Sequence, residues 1–352
     1  MSEFLLYGWE GYEDPNILGR FSETYQVSTS AEHLTSDTEA ASRVIDGHTI
    51  QPSILNINNP FPKKWLFPEK RIRELDHEMF AAWDANLLPW TRPLCEWAYS
   101  VTGELVGIPQ RFGSFNFVIN TKRVSRGIAE DEGFYLLDDP SSAPRYGVLV
   151  FPEFNVFHIA LSAGLNPFQS LSLEEKERFQ SQARQWFTHA ACISDDSRKL
   201  NKRLVDQSID VILSAGMFSS GHLRREGFKE IHCVTPRKGP IDGKGGICFL
   251  ELNTIPVDAP SYTDSIRFLQ MILRPDIALY AMSNHINCNP IVQMGDPEIF
   301  NKVGVTLLEA LQWDTLEEDL SRCVEYDLPP DFDELLGIVK TVIKSVGVER
   351  WL

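Results

Sequence analysis

Short apolar runs alternate with longer amphipathic stretches from one end of the chain to the other. Runs rich in apolar and β-branched residues, bounded by Gly, Pro, Asn and Ser, predict strands at 4–9, 53–57, 105–109, 115–120, 146–151, 209–213, 230–235 and 246–256. Apolar positions recurring at helical spacing predict helices at 69–83, 154–164, 173–190, 261–273 and 333–342. Pro15-Asn16-Ile17-Leu18 with Phe21 reads as one more helix start, because proline fits the first turn. Strands alternating with helices are the signature of α/β layers around a largely parallel sheet. No internal repeat, low-complexity tract or long linker interrupts the pattern. Two lobes would therefore be joined by crossings of structured chain, an arrangement that allows hinge closure.

Length and composition narrow the function classes. The 352 residues correspond to about two domains at ~150 residues each. With 43% hydrophobic and 23% charged residues the chain has a globular composition, which excludes disorder, collagen and coiled coil. The net charge of −16 repels phosphate backbones and anionic lipid unless Lys and Arg cluster. The densest basic runs, 199–203 and 224–229, are short and interrupted, so they read as solvated helix faces and no nucleic-acid partner is expected. The longest apolar stretches, such as 146–151, fall far below the roughly 20 residues of a membrane span, so no direct membrane insertion is expected. Met1-Ser2-Glu3 leads straight into Phe4-Leu5-Leu6-Tyr7, which is no secretory leader. The expected location is periplasmic if a leader has been removed and cytoplasmic if Met1 is the native start.

Several familiar chemistries find no motif. The six cysteines are never closer than 15 residues apart, so no CxxC exists, and each is expected to be a small buried apolar residue. The eight histidines form neither HExxH nor HxH, and His77-Glu78-Met79-Phe80 lacks a second ligand; no metal and no cofactor is expected. Gly243-Lys244-Gly245-Gly246 lacks the spacing and the following Ser or Thr of a phosphate loop and reads as a hairpin turn. The run 216–221 does not fit GxSxG; Ser219 and Ser220 are expected near a helix N-terminus instead.

Four segments, in order and at consistent distances, resemble the spermidine/putrescine-type solute-binding proteins of ABC importers, over most of the chain. They are Leu6-Tyr7-Gly8-Trp9-Glu10-Gly11-Tyr12; Gly107-Ile108-Pro109-Gln110-Arg111-Phe112-Gly113 leading into Phe117-Val118-Ile119-Asn120; Gly245-Gly246-Ile247-Cys248-Phe249-Leu250-Glu251 continuing to Ile255-Pro256; and Leu273-Arg274-Pro275-Asp276-Ile277-Ala278 followed by Asn287. The resemblance implies a two-lobed α/β fold of the type II periplasmic-binding-protein class, with a hinge and an interlobe ligand cleft. One lobe would be 1–120 plus 249–293 and the other 121–248 plus 294–352. It implies ligand contacts from Trp9, Tyr12, Asn58, Phe61, Phe112, Phe249 and Glu251, with Asn287 where the family often has a tyrosine, and an ABC permease as partner of a monomer.

The departures bear on the ligand. Glu10 replaces the family's hydroxyl residue in the first loop, and Pro152 and Asn155 fall where the polyamine binders carry an acidic pair, leaving Glu153 nearby. Arg111 adds a guanidinium suited to a carboxylate or phosphate. The expected ligand is thus a small amine-containing solute of mixed charge, its amine on Glu251 and its acid group on Arg111. A cation between Trp9, Tyr12 and Phe249 would gain about 0.5–2 kcal/mol per good contact. Alternatively these aromatics are ordinary core, and Arg111 is a structural ion-pair residue with Glu10 as a competing partner. A second function class is a leaderless cytoplasmic enzyme or sensor on the same fold, with Glu251, Glu153, His285 and Cys288 as the groups that could carry chemistry.

Overall fold

The first apolar run forms strand β1 (Glu3–Gly8), buried at every position after Glu3. Strand β2 (Ser28–His33) lies parallel to it, from Glu3 opposite Ser28 to Gly8 opposite His33. β2 is polar and largely exposed, which is why no apolar run announces it. Helix α1 (Asp37–Asp46) follows, its N-terminus capped by the Ser36 hydroxyl, which accepts from Glu39 N at 3.1 Å. Strand β3 (Ile54–Asn58) is wholly buried and pairs parallel with β1. The computed structural model describes residues 3–47, 51–80, 84–138, 143–283 and 288–352.

The helix expected over 69–83 is replaced by strand-like pairing. Ile72 bridges to Pro256, Arg73 N donates to Ile255 O and Val257 N donates to Arg71 O, both at 2.9 Å, so these backbone groups are unavailable to a helix. Only His77–Phe80 forms a short 3₁₀ turn, and 81–83 lie outside the described residues. The strands expected at 105–109 and 115–120 merge into one, β4 (Ile108–Asn120), because 110–113 stay extended and buried, with Arg111 bridging to Ile291.

The chain forms two units, Met1–Gly113 with Phe249–Leu308 and Ser114–Cys248 with Glu309–Leu352. It passes between them within β4, within strand β9 (below) and after Leu308, where the expectation placed the passages at 120, 248 and 293. In the second unit, β5 (Tyr146–Leu149), α2 (Pro152–Ser162), α3 (Leu173–His189), β6 (Cys192–Ser194), α4 (Ser197–Val205), β7 (Val211–Gly216), α5 (Met217–Arg225) and β8 (Ile231–Val234) follow in order. β4 lies antiparallel to β7 and β8, while β5 lies parallel to β6 and β7. Ser214 is skipped in the β4–β7 register, between Leu213 opposite Phe117 and Ala215 opposite Asn116, and has a left-handed φ of 56°. It is the extra residue of a bulge. Ser219 takes its expected place in the first turn of α5, donating its hydroxyl to Gly216 O at 2.8 Å. The segment 239–244 is a tight turn with Asp242 and Gly243 both at positive φ.

Strand β9 (Gly246–Thr254) is buried along its whole length. Its start pairs parallel with β10 (Cys323–Glu325) in the second unit, and its end lies antiparallel to β3 in the first. Helices α6 (Tyr262–Ile272) and α7 (Pro275–Met282) return the chain across the first unit, followed by the short α8 (Pro297–Phe300). In the second unit α9 (Phe332–Lys344) packs on α2 and α3. All six cysteines are buried and none is in a disulfide. No helix among the described residues is long and apolar enough to cross a membrane.

Candidate functional site

The β3–β9 pair in the first unit carries a row of polar side chains where a sheet interior would ordinarily be apolar. Asn56 stands opposite Asn253 and Asn58 opposite Glu251, so period-two geometry places all four on one face. Each is at least nine-tenths buried. Asn56 Nδ2 donates to Asn253 Oδ1 at 3.2 Å, and Asn56 Oδ1 accepts the backbone N–H of Trp9 at 3.3 Å. The row therefore begins by fixing the loop that follows β1.

Arg111, 1% exposed, supplies the cation that a buried Glu251 requires. Its Nε and Nη2 donate to Glu251 Oε2 at 2.9 and 2.6 Å, and its Nη1 donates to the backbone carbonyl of Glu10 at 2.7 Å. The Tyr12 ring lies over the guanidinium, 4.4 Å from its carbon to the ring centre. Burial pushes the Glu251 carboxyl above the usual carboxylate range, with Arg111 opposing it. Burial would lower Arg111, but the Glu251 charge and hydrogen bond, together with Tyr12 and Glu13, more than offset this and keep it cationic. The Tyr12 hydroxyl is raised by burial, so it stays protonated. The two charges expected to divide a ligand between them thus neutralise one another, and Glu10 reaches Arg111 through its carbonyl.

Sequence reasoning missed Asp37, the fully buried first residue of α1. Its Oδ1 accepts from the Trp9 indole Nε1 at 3.1 Å and its Oδ2 accepts from Asn58 Nδ2 at 2.7 Å. That second bond fixes the Asn58 amide with nitrogen toward the carboxylate, leaving Oδ1 on the other side. Asn58 Oδ1 is buried and accepts no hydrogen bond. Trp9 is half-buried and Glu10 exposed, so the loop borders solvent over this anchored base. A signal for the row existed in the sequence: Asn56-x-Asn58 and Glu251-x-Asn253 are polar at alternate positions inside apolar runs.

The other expected site residues are placed separately. Phe61 and Phe112 are fully buried, edge-on to Trp65 and Trp90 with ring centres 5.3 and 6.2 Å apart. The Phe249 ring packs where a Cβ on Gly113 would approach its Cε1 to 3.3 Å. In the second unit Glu153 lies in the first turn of α2, and Asn155 is fully buried, its Nδ2 donating to Leu149 O at 3.0 Å and Ser214 Oγ at 2.8 Å. His158 continues this network: Nε2 donates to Phe115 O at 2.8 Å, so in the neutral ring Nδ1 accepts from Ser214 Oγ at 2.9 Å. Burial lowers the His158 pKa to about 4. Cys288 is buried and its segment bridges to Ser283, while His285 and Asn287 lie outside the described residues. Among the described residues no cluster of His, Cys, Asp and Glu could hold a metal.

No protein-family model and no curated protein matches the chain. Solved structures do. A provisionally named spermidine/putrescine ABC transporter protein from Listeria monocytogenes aligns over 97% of this chain and 99% of its own, at 14% identity and a TM-score of 0.73. The spermidine/putrescine ABC transporter substrate-binding protein PotD from Streptococcus pneumoniae, solved with calcium and HEPES, aligns over the same shares at 14% identity and 0.68. The periplasmic binding protein MotA from Agrobacterium tumefaciens B6, solved with glucopine, aligns over 97% and 99% at 11% identity and 0.69. At these identities the likeness is one of fold, and the chain has the two-lobed α/β fold of the type II periplasmic binding proteins.

Proposed function

We propose that the protein is the solute-binding component of an ABC importer and takes a small amine-containing solute of mixed or modest charge, amino-acid-like rather than a polycation. The observation that carries this reading is Asn58 Oδ1, a buried acceptor with no donor, beside Trp9 and across the strand pair from a glutamate already neutralised by Arg111. Leaving such an acceptor unmet costs about 1–3 kcal/mol, which an incoming N–H would recover. Trp9 and the Glu10 carboxylate would receive the ammonium, with cation–π attraction and charge adding to the hydrogen bond. A polyamine needs several carboxylates to balance it, and Glu251 is committed to Arg111. Binding would be coupled to hinge closure through β4 and β9, and delivery would be to an ABC permease. Titration calorimetry with Asn58→Leu and Glu10→Gln tests the reading. Both variants should lose at least tenfold in affinity for the solute; Glu10→Gln should leave the melting temperature of the free protein near its original value, while Asn58→Leu, which also removes a donor from the buried Asp37 carboxylate, should lower it. Unchanged affinity in both would remove this loop from the site.

A further inference from the structure

A second place in the first unit is built to hold a small molecule, and it shares no residue with the polar row. A cavity of about 370 Å³ lies between the α6–α7 junction, the residues Met79, Phe80 and Asn86, and the segment before α8. That volume is within the range of small-ligand pockets. Met79, Phe80, Leu273 and Pro275 give it apolar walls. Gln293, 4% exposed, lines it, and neither its Oε1 nor its Nε2 has a hydrogen-bond partner. A buried amide with both ends unmet is costly, so its position on a cavity wall indicates an occupant offering an acceptor and a donor side by side.

The charges around the cavity are already engaged. Arg274 holds Asp276 through two bonds, Nε to Oδ1 at 3.0 Å and Nη2 to Oδ2 at 2.9 Å. Asp296 caps α8, its Oδ1 accepting from Glu298 N at 2.8 Å. The remaining polar lining is neutral, from Asn86, Gln270 and Gln293, and of these Gln293 is the one whose buried amide has both ends unmet. The wall is close-packed: a Cβ on Gly295 would meet Asn86 O at 1.7 Å, so the two backbones are in direct contact there.

We infer that this cavity is a second ligand site, for a neutral molecule with a carboxamide or lactam edge on an apolar body. The edge presents its C=O to Gln293 Nε2 and its N–H to Oε1, as two amides pair. The inference is independent of the solute site and goes beyond it.

The test uses nicotinamide as probe, with nicotinic acid, which has no N–H donor and carries charge, as control. Ligand-observed NMR on the full chain should detect nicotinamide and not nicotinic acid. Gln293→Met should weaken the nicotinamide response at least tenfold, and Trp9→Ala, in the solute loop, should leave it unchanged. If Gln293→Met destabilises the protein, the wild-type Gln293 side-chain amide signal, assigned with Gln293→Glu, carries the test and must move as nicotinamide is added. No nicotinamide binding, which would mean that the cavity holds water alone, overturns the inference. So does binding indifferent to Gln293, or binding lost with Trp9→Ala.

Discussion

Replacing Glu251 with Gln removes one charge from a buried pair and leaves the other, and the geometry sets the consequence. Arg111 is 1% exposed and gives two of its donors to a single oxygen of Glu251. In the variant its charge would face a neutral amide, the Glu10 carbonyl and the Tyr12 ring, with no carboxylate bonded to it. Breaking a buried pair from one side costs about 3–5 kcal/mol, whereas exchanging both partners for apolar groups of similar volume is often neutral. Glu251→Gln alone should therefore lower the melting temperature of the first unit by at least about 6 °C, taking roughly 2–4 °C per kcal/mol. The double variant Arg111→Met with Glu251→Leu should recover most of that loss. Urea unfolding followed by tryptophan fluorescence, run as a double-mutant cycle, reads the coupling directly. A Glu251→Gln cost under about 1 kcal/mol, with no coupling to Arg111, would refute the clamp and return Glu251 to the role of a free ligand carboxylate.

Three further outcomes follow from particular contacts. His158 is neutral when folded, with a pKa lowered to about 4, while an unfolded histidine titrates near 6.5. The unfolded state thus binds the extra proton as pH falls through that window, and stability is lost. At pH 5 the loss is about 2 kcal/mol, and His158→Gln should remove that share of the difference between pH 7 and pH 5 measured by urea unfolding. Gly8→Ala would bring a Cβ to 2.5 Å from Asn56 Cβ, so it should cost about 1–3 kcal/mol and weaken solute binding, while Gly304→Ala, with no atom within 4 Å, should change neither. Arg111→Lys keeps the charge but loses the planar fork that joins Glu251 to the Glu10 carbonyl; circular dichroism melting should fall, and solute affinity with it.

Much of the architecture was legible because it rests on apolar patterning. β1, β3, β5, β8 and the long α3 stand within a few residues of the runs that predict them. What the pattern could not show are elements whose residues do not follow it. β2 is polar at an edge, β6 and β10 are three residues long, and 69–83 has helical spacing but gives its backbone to pairing with 255–257. The site divides the same way. Trp9, Glu10, Tyr12, Arg111 and Glu251 are recognisable in sequence, yet the bond between Arg111 and Glu251 spans 140 positions and only the folded strands bring it together. Asp37 looks like any first-turn acid of a helix until the Trp9 indole and the Asn58 amide are seen to converge on it.

The most direct measurement is a thermal-shift screen of the purified protein against amines, polyamines, amino acids, opine-like conjugates and phosphorylated metabolites, with each stabilising compound recovered and weighed by mass spectrometry. A specific ligand at a hundredfold excess over its dissociation constant adds about 2.7 kcal/mol of stability. The account predicts that an amine-containing solute of mixed charge stabilises the protein, is recovered intact, and loses its effect in Asn58→Leu. Stabilisation by polyamines alone, or a compound consumed with turnover, would contradict it.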